Sequence, residues 1–216
     1  MAYAAGHRDQ VRGRIVDCAR RLFNRHGFDA VTVDQIMAGA GLTRGGFYSY
    51  FESKSDLYTE VLGCFFTDPE WKNRWEGVEV DRHAANPGPE VVRAYLSEQH
   101  FEDVENSCPM VALPSDVTRC GKEVKSAFET VFKAMVHLLE SSVVEDVRNG
   151  TSQHVKAQAI AALCVGGMVV ARAMEDRRSA DELRNACMAV ALELGGWPRE
   201  ETTANGNQER EAVTKG

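Results

Sequence analysis

The chain has 216 residues, of which 44% are hydrophobic and 8% aromatic, a composition of folded chains and not of disordered ones, with room for a small domain and a larger one. Its formal net charge of −7 excludes a general nucleic-acid coater, whose charge is basic throughout. The longest uncharged apolar run, Ala159 to Ala171, is 13 residues against the ~20 of a membrane-spanning helix, and the Met1 to Arg8 segment has no apolar signal core. A cytoplasmic protein with no membrane partner is expected.

The charge is unevenly spread. Residues 1–55 hold eight Lys/Arg against five Asp/Glu, a net of +3, so residues 56–216 carry −10. A basic end is drawn to phosphates while an acidic body is held off them.

In chain order, Ile15, Cys18, Ala19, Leu22 and Phe23 recur at i, i+3, i+4, i+7, i+8 and predict a first helix, with Arg14, Arg20, Arg21 and Arg25 on its other faces. A short second helix is capped by Thr32 or Asp34, buries Val33, Ile36 and Met37, and ends at Gly39 and Gly41. A third starts from the Thr43 hydroxyl and turns Phe47 and Phe51 inward, leaving Arg44, Gly45, Gly46, Tyr48, Ser49 and Tyr50 outside. Two short helices joined by a glycine-bearing turn are the outline of a helix-turn-helix. Each helical glycine costs roughly 1 kcal/mol relative to alanine. Close approach to a duplex supplies a reason to keep both, and a plain turn is the alternative.

Further helices are expected over 53–66, with Leu57, Val61, Leu62, Phe65 and Phe66 inward, and from about Pro89 through Val91, Val92, Tyr95, Leu96 and Phe101. Between them, 67–89 reads as a loop containing Trp71 and Trp75. Ser107-Cys108-Pro109-Met110 is a helix start leading past Leu113 to a short helix near Arg119. Long helices follow over 121–147, ending at Asn149-Gly150, then over 152–175 and 180–194, closed by Gly195-Gly196-Trp197-Pro198. Beyond Arg199 the chain is polar and aperiodic, a disordered tail. No period-two alternation appears, so the fold class is all-α: a helix-turn-helix domain over 1–55, a larger helical domain over 56–198, and the tail over 199–216.

The segments Ala19-Arg20-Arg21-Leu22-Phe23, His26-Gly27-Phe28, Thr32-Val33-Asp34-Gln35-Ile36, Ala40-Gly41-Leu42-Thr43-Arg44-Gly45-Gly46-Phe47-Tyr48 and Phe51-Glu52-Ser53-Lys54-Ser55-Asp56-Leu57 occur in the order and spacing of one family. From about Arg12 to Leu62 the chain resembles the DNA-binding domain of the tetracycline-repressor (TetR) family of bacterial transcription regulators. The resemblance implies DNA contacts by Thr32, Thr43, Arg44, Gly45, Gly46, Tyr48, Tyr50 and Lys54. Thr43, Tyr48, Tyr50 and Lys54 then sit on phosphates, and Arg44 sits on a guanine edge or a phosphate. It also implies a homodimer, a double-stranded DNA operator and an unidentified small-molecule effector, with 56–198 as the ligand-binding and dimerisation domain.

For the dimer, the last two long helices offer Ala159, Ala162, Leu163, Gly166, Gly167 and Val170 on one, and Leu183, Cys187, Val190 and Leu194 on the other. Internal core packing is the other reading of that pattern. Apolar residues for an effector pocket are Trp71, Tyr95, Phe101, Cys108, Met110, Phe128, Phe132, Met135 and Met168. His100, Cys108, Asp116, Cys120 and His137 lack the spacing of a metal or nucleophile site, so no catalytic residue, metal or cofactor is expected. Cys108, at a helix start, remains open as a redox or electrophile switch, paired with Cys120 in its simplest form. An all-α binding protein or enzyme with a vestigial helix-turn-helix is the remaining rival.

Overall fold

The computed structural model describes residues 2–64, 80–81, 85–112, 114–145 and 150–198. The expectations for Phe65, Phe66, Trp71, Trp75, Leu113, Val147, Asn149 and the tail lie outside these residues. Among them, the elements are α1 (Ala2–His26), α2 (Val33–Gly39), a 3-10 helix (Arg44–Ser49), α3 (Lys54–Cys64), α4 (Gly88–Tyr95), α5 (Glu98–Glu102), α6 (Pro109–Ala112), α7 (Pro114–Arg119), α8 (Lys122–Glu140), α9 (Gln153–Arg172) and α10 (Arg177–Gly195). All are helical, as the sequence indicates.

The N-terminal head is built on α1. Ile15, Ala19 and Phe23 are fully buried, and Ile36, Met37, Phe47, Phe51 and Leu57 close over them from the following elements. Phe23, Phe28 and Tyr58 add a ring cluster with centroids 4.7–5.5 Å apart. The turn after α2 needs a left-handed residue, and Gly41 supplies it at φ +72°.

Several boundaries differ from the sequence reading, each for a local reason. The segment 44–49 is 3-10, not α, and Thr43 makes no side-chain capping bond there. Two adjacent glycines and no cap leave little to hold a full α-turn. The helix expected from Pro89 through Phe101 breaks after Tyr95, because Ser97 caps a new helix by accepting from the His100 N–H at 3.1 Å, while Arg184 takes the Leu96 carbonyl at 2.8 Å.

Helix α8 stops at Glu140 and not near Val147. The Ser142 carbonyl accepts from the Trp197 indole at 2.8 Å and the Val144 N–H donates to the Gly195 carbonyl at 3.0 Å, so the chain end claims the groups that a longer helix would use. Gly196, left-handed at φ +71°, makes that return possible.

Arg20, placed off the apolar stripe of α1, is nonetheless buried, with its guanidinium on the Glu105 carbonyl at 3.0 Å and on Asn106 Oδ1 at 3.1 Å. Helix α9 runs 20 residues, beyond the 13-residue run, and is long and apolar enough to cross a membrane. Its Ala157, Ile160, Ala161, Cys164, Met168 and Ala171 are nonetheless buried within the protein, where it packs on α8 and α10. Lys156 is buried with them. It is a core helix with one uncovered side.

Candidate nucleic-acid interface

Helix α2 opens with a capping box: Thr32 Oγ1 accepts from the Gln35 N–H at 3.2 Å and Gln35 Oε1 accepts from the Thr32 N–H at 2.8 Å. The Thr32 hydroxyl also donates to Gln35 Oε1 at 3.0 Å. The Thr32 hydroxyl and N–H, its groups for the DNA contact that the resemblance implies, are therefore both engaged in starting the helix. Arg44 reaches back to Asp34 Oδ2 at 3.0 Å, an exposed pair that orients the guanidinium across the face between α2 and the 3-10 helix. Such a pair adds little stability. Its effect is to aim the remaining guanidinium N–H groups.

Thr43, Gly45 and Tyr48 are exposed on the same element, Tyr48 at 67%. The Tyr48 ring stands edge-on to buried Phe47, centroids 5.3 Å apart, which props the hydroxyl outward. Tyr50 is half-buried. A Cβ added at Gly45 meets nothing within 4 Å, and one at Gly46 makes only ordinary contact with Met37 at 3.6 Å. The fold itself has no use for the bareness of Gly45.

Lys54 is placed differently from the expectation. Its ammonium donates to the carbonyls of Phe28 at 2.8 Å and Val31 at 2.9 Å, and lies 4.3 Å from the centre of the Phe28 ring. It therefore fastens the turn between α1 and α2 from inside.

The sequence reading also missed four α1 side chains. Arg8 and Arg12 donate to the carbonyls of Ser49 and Tyr50 at the far end of the 3-10 helix. On the opposite side, Asn24 and Arg20 hold the loop before α6 through the Glu105 and Ser107 carbonyls. Their i, i+4 spacings were visible, but no sequence signal names a carbonyl as partner.

The body presents a buried polar hub at that loop. His100 is fully buried, with Nδ1 2.6 Å from the Tyr95 carbonyl and Nε2 2.7 Å from Ser107 Oγ. The Cys108 N–H donates to Nε2 at 3.3 Å, so Nε2 is the acceptor and the proton sits on Nδ1. Arg172 of α9 donates to Ser107 Oγ at 2.9 Å and to the Phe101 carbonyl at 3.2 Å. Burial lowers the pKa of its guanidinium, and burial likewise raises that of the fully enclosed Tyr95 hydroxyl.

Of the pocket candidates, Tyr95, Cys108, Met110, Met135 and Met168 are buried, while Phe101, Phe128 and Phe132 are half-buried. Phe101 faces the guanidiniums of Arg177 and Arg184, 4.7 and 4.8 Å from its centre, so it packs toward α10. A surface cleft of about 390 Å³ lies elsewhere, between Glu140 and the start of α9 at Gln153-His154. Cys108 is 0% exposed and directly precedes a helix of four residues. That enclosure removes the accessibility on which the thiol-switch reading rests.

On α9, Ala159, Ala162, Gly166 and Val170 are exposed and Leu163 is half-buried; on α10, Val190 is exposed and Leu183, Cys187 and Leu194 are half-buried. Gly167 belongs to a different contact. A Cβ there would stand 2.8 Å from Cys187 Sγ of the same chain, so this glycine lets α9 and α10 pack on each other.

The sequence description of bacterial regulatory proteins of the tetR family matches residues 15–61, which span the head from α1 into α3. Over those residues the head is similar to the regulators of the TetR family. Among its relatives, the HTH-type transcriptional regulator YerO of Bacillus subtilis is 26% identical over 149 residues, 68% of this chain and 50% of that protein. The HTH-type transcriptional repressor KstR2 of Mycobacterium tuberculosis is 35% identical over 117 residues, 54% of this chain and 55% of that one. The chain thus spans about half the length of these relatives. A crystal structure of a TetR-family transcriptional regulator from Agrobacterium tumefaciens shares the fold, with a TM-score of 0.65 at 19% identity over 85% of this chain and 98% of that one.

Proposed function

We propose that this chain is a TetR-family, sequence-specific DNA-binding transcription regulator, a homodimeric repressor that leaves its operator when a small effector binds the helical body. The observation that carries the reading is the outer face of the head. There, exposed Tyr48 and Thr43 flank a glycine that no contact within the chain requires, beside an arginine aimed by Asp34. A bare backbone next to hydroxyls and a guanidinium is suited to lie against a duplex.

The uncovered apolar side of α9 and α10, with Val155, Val170 and Val190 each about half exposed, supports pairing of two copies there. Two-fold symmetry then carries two heads to successive major grooves ~34 Å apart. An effector favouring a form with mis-spaced heads lowers operator affinity by its differential binding to that form. Such a protein works in the cytoplasm, beside the DNA.

The direct test is a titration of a random-sequence duplex at increasing salt. Binding that weakens linearly on a log–log plot supports phosphate contact by the head. Absence of salt-sensitive binding at low ionic strength contradicts it.

A further inference from the structure

The reading element is weak by its own chemistry. It is a six-residue 3-10 helix with two glycines and no side-chain cap at its start, and its last carbonyls have no partner inside it. Phe47 and Phe51 anchor one side in the core. What fixes the other end lies in α1, ahead of residues 15–61.

Arg8 and Arg12 lie one turn apart on one face of α1. Arg8 Nη2 donates to the Ser49 carbonyl at 2.9 Å, and Arg12 Nη1 donates to the Tyr50 carbonyl. The other edge of the Arg12 guanidinium forks onto Glu60 of α3, Nε on Oε1 at 3.0 Å and Nη2 on Oε2. Its plane lies over the Phe51 ring, 4.2 Å from the centroid. One planar group thus joins three elements: the helix that carries it, the exit of the reading element and the following helix. A fork fixed by a carboxylate on one side and a ring beneath it has little freedom left, so the Tyr50 carbonyl is held at a set distance from α1 and α3.

We infer that Arg12, assisted by Arg8 and oriented by Glu60, is the positioning residue that sets the pose of the Arg44–Ser49 reading element, without itself supplying the DNA contact. The inference rests on the DNA-binding reading proposed above. Cations at these carbonyls also oppose the negative end of the short helix. The 36% exposure of the Arg12 side chain leaves it stable in place but not enclosed, so a neutral replacement leaves no buried orphan charge.

The experiment compares wild type with Arg12→Met, Arg12→Lys and Glu60→Gln, each bound to a duplex selected by the wild-type protein and to random duplex, over a range of salt. Arg12→Met is expected to lose about tenfold or more on the selected duplex, the worth of a charged hydrogen bond, with binding to random duplex and its salt slope unchanged. Arg12→Lys, which keeps one donor and the charge, recovers part of the loss, and Glu60→Gln falls between. Equal loss on both duplexes, with the slope smaller by about one, would make Arg12 a phosphate contact and overturn the inference. So would an Arg12→Met protein that binds the selected duplex as wild type does.

Amide exchange in the free protein gives a reading independent of DNA. The Tyr50 and Phe51 N–H groups, both bonded to the Phe47 carbonyl, should exchange faster in Arg12→Met while those of α2 do not. Unchanged protection at Tyr50 and Phe51 contradicts the clamp whatever the DNA results. If wild type binds no duplex while these amides loosen in the variant, the DNA-binding reading fails and the clamp stands.

Discussion

The amide of Asn24 lies 2.9 Å from the carbonyl oxygen of Ser107, a buried bond between the helix that carries the N-terminal head and the loop that precedes α6. The hydroxyl of the same serine receives Arg172 from α9 and faces the His100 ring. The head is therefore joined, through one residue's backbone and side chain, to the helix whose outer side is the proposed dimer surface. Phe28 and Arg119 add a second joint, since Asp116 of α7 accepts from the Phe28 N–H at 2.7 Å and pairs with Arg119 of its own helix.

Removing the Asn24 amide takes the donor from the Ser107 carbonyl, while the Glu105 carbonyl keeps Arg20. Asn24→Leu should lower stability by about 1–3 kcal/mol in urea unfolding, the cost of a buried acceptor without its partner. Asn24→Asp should cost more, because a carboxylate would face two carbonyl oxygens. An unchanged midpoint for both would show that this joint contributes nothing net.

Gly45 separates folding from binding. With nothing within 4 Å of an added Cβ, Gly45→Ala should leave thermal stability unchanged or raise it by up to ~1 kcal/mol, the helical advantage of alanine. The same variant should bind a selected duplex more weakly. A variant that is equally stable and binds equally well would remove the case for close approach at this position.

The neighbouring glycines of α9 should fail in different ways. A Cβ at Gly166 meets open space, whereas one at Gly167 meets Cys187 of its own chain at 2.8 Å. Gly167→Ala should therefore destabilise the fold by about 1–3 kcal/mol through overpacking, and Gly166→Leu should change the sedimentation of the assembly while the unfolding of a dissociated chain stays the same. Unaltered association in Gly166→Leu would argue against pairing through this face.

Thiol labelling of the native protein tests the burial of the cysteines. Cys108 and Cys164 are fully enclosed, and burial pushes the Cys164 thiol far above its usual range, so its reactive thiolate is scarce at neutral pH. Both should label only as fast as the protein unfolds, after the half-buried Cys18, Cys64, Cys120 and Cys187. Rapid native labelling of Cys108 would revive the thiol-switch reading.

How far the sequence could be read follows from the range of its signals. Apolar spacing placed α1, α8, α9 and α10, because each buries one stripe along its own axis. A cap at Thr32 or Asp34 and the stop at Gly195-Gly196-Trp197-Pro198 were legible for the same reason, being interactions within a few residues, and the capping box settles on Thr32. Helix ends decided by distant partners were not, as with Glu140, where a tryptophan 57 positions on closes the helix. The site divided along the same line. The outward placement of Arg44, Gly45 and Tyr48 follows from Phe47 and Phe51 turning inward, but the inward bonds of Lys54 and Thr32 and the reach of Arg12 depend on carbonyls that no local pattern names.

The measurement that tests the central claim most directly is selection of bound duplexes from a random pool by the wild-type chain, followed by sequencing and a binding titration of the enriched site. The account expects a two-fold symmetric sequence with half-sites separated by about one helical turn, bound at least about a thousandfold more tightly than random duplex and losing affinity steeply with salt. A pool that enriches no sequence, from a protein that remains folded and shows no salt-dependent affinity for any duplex, would contradict it.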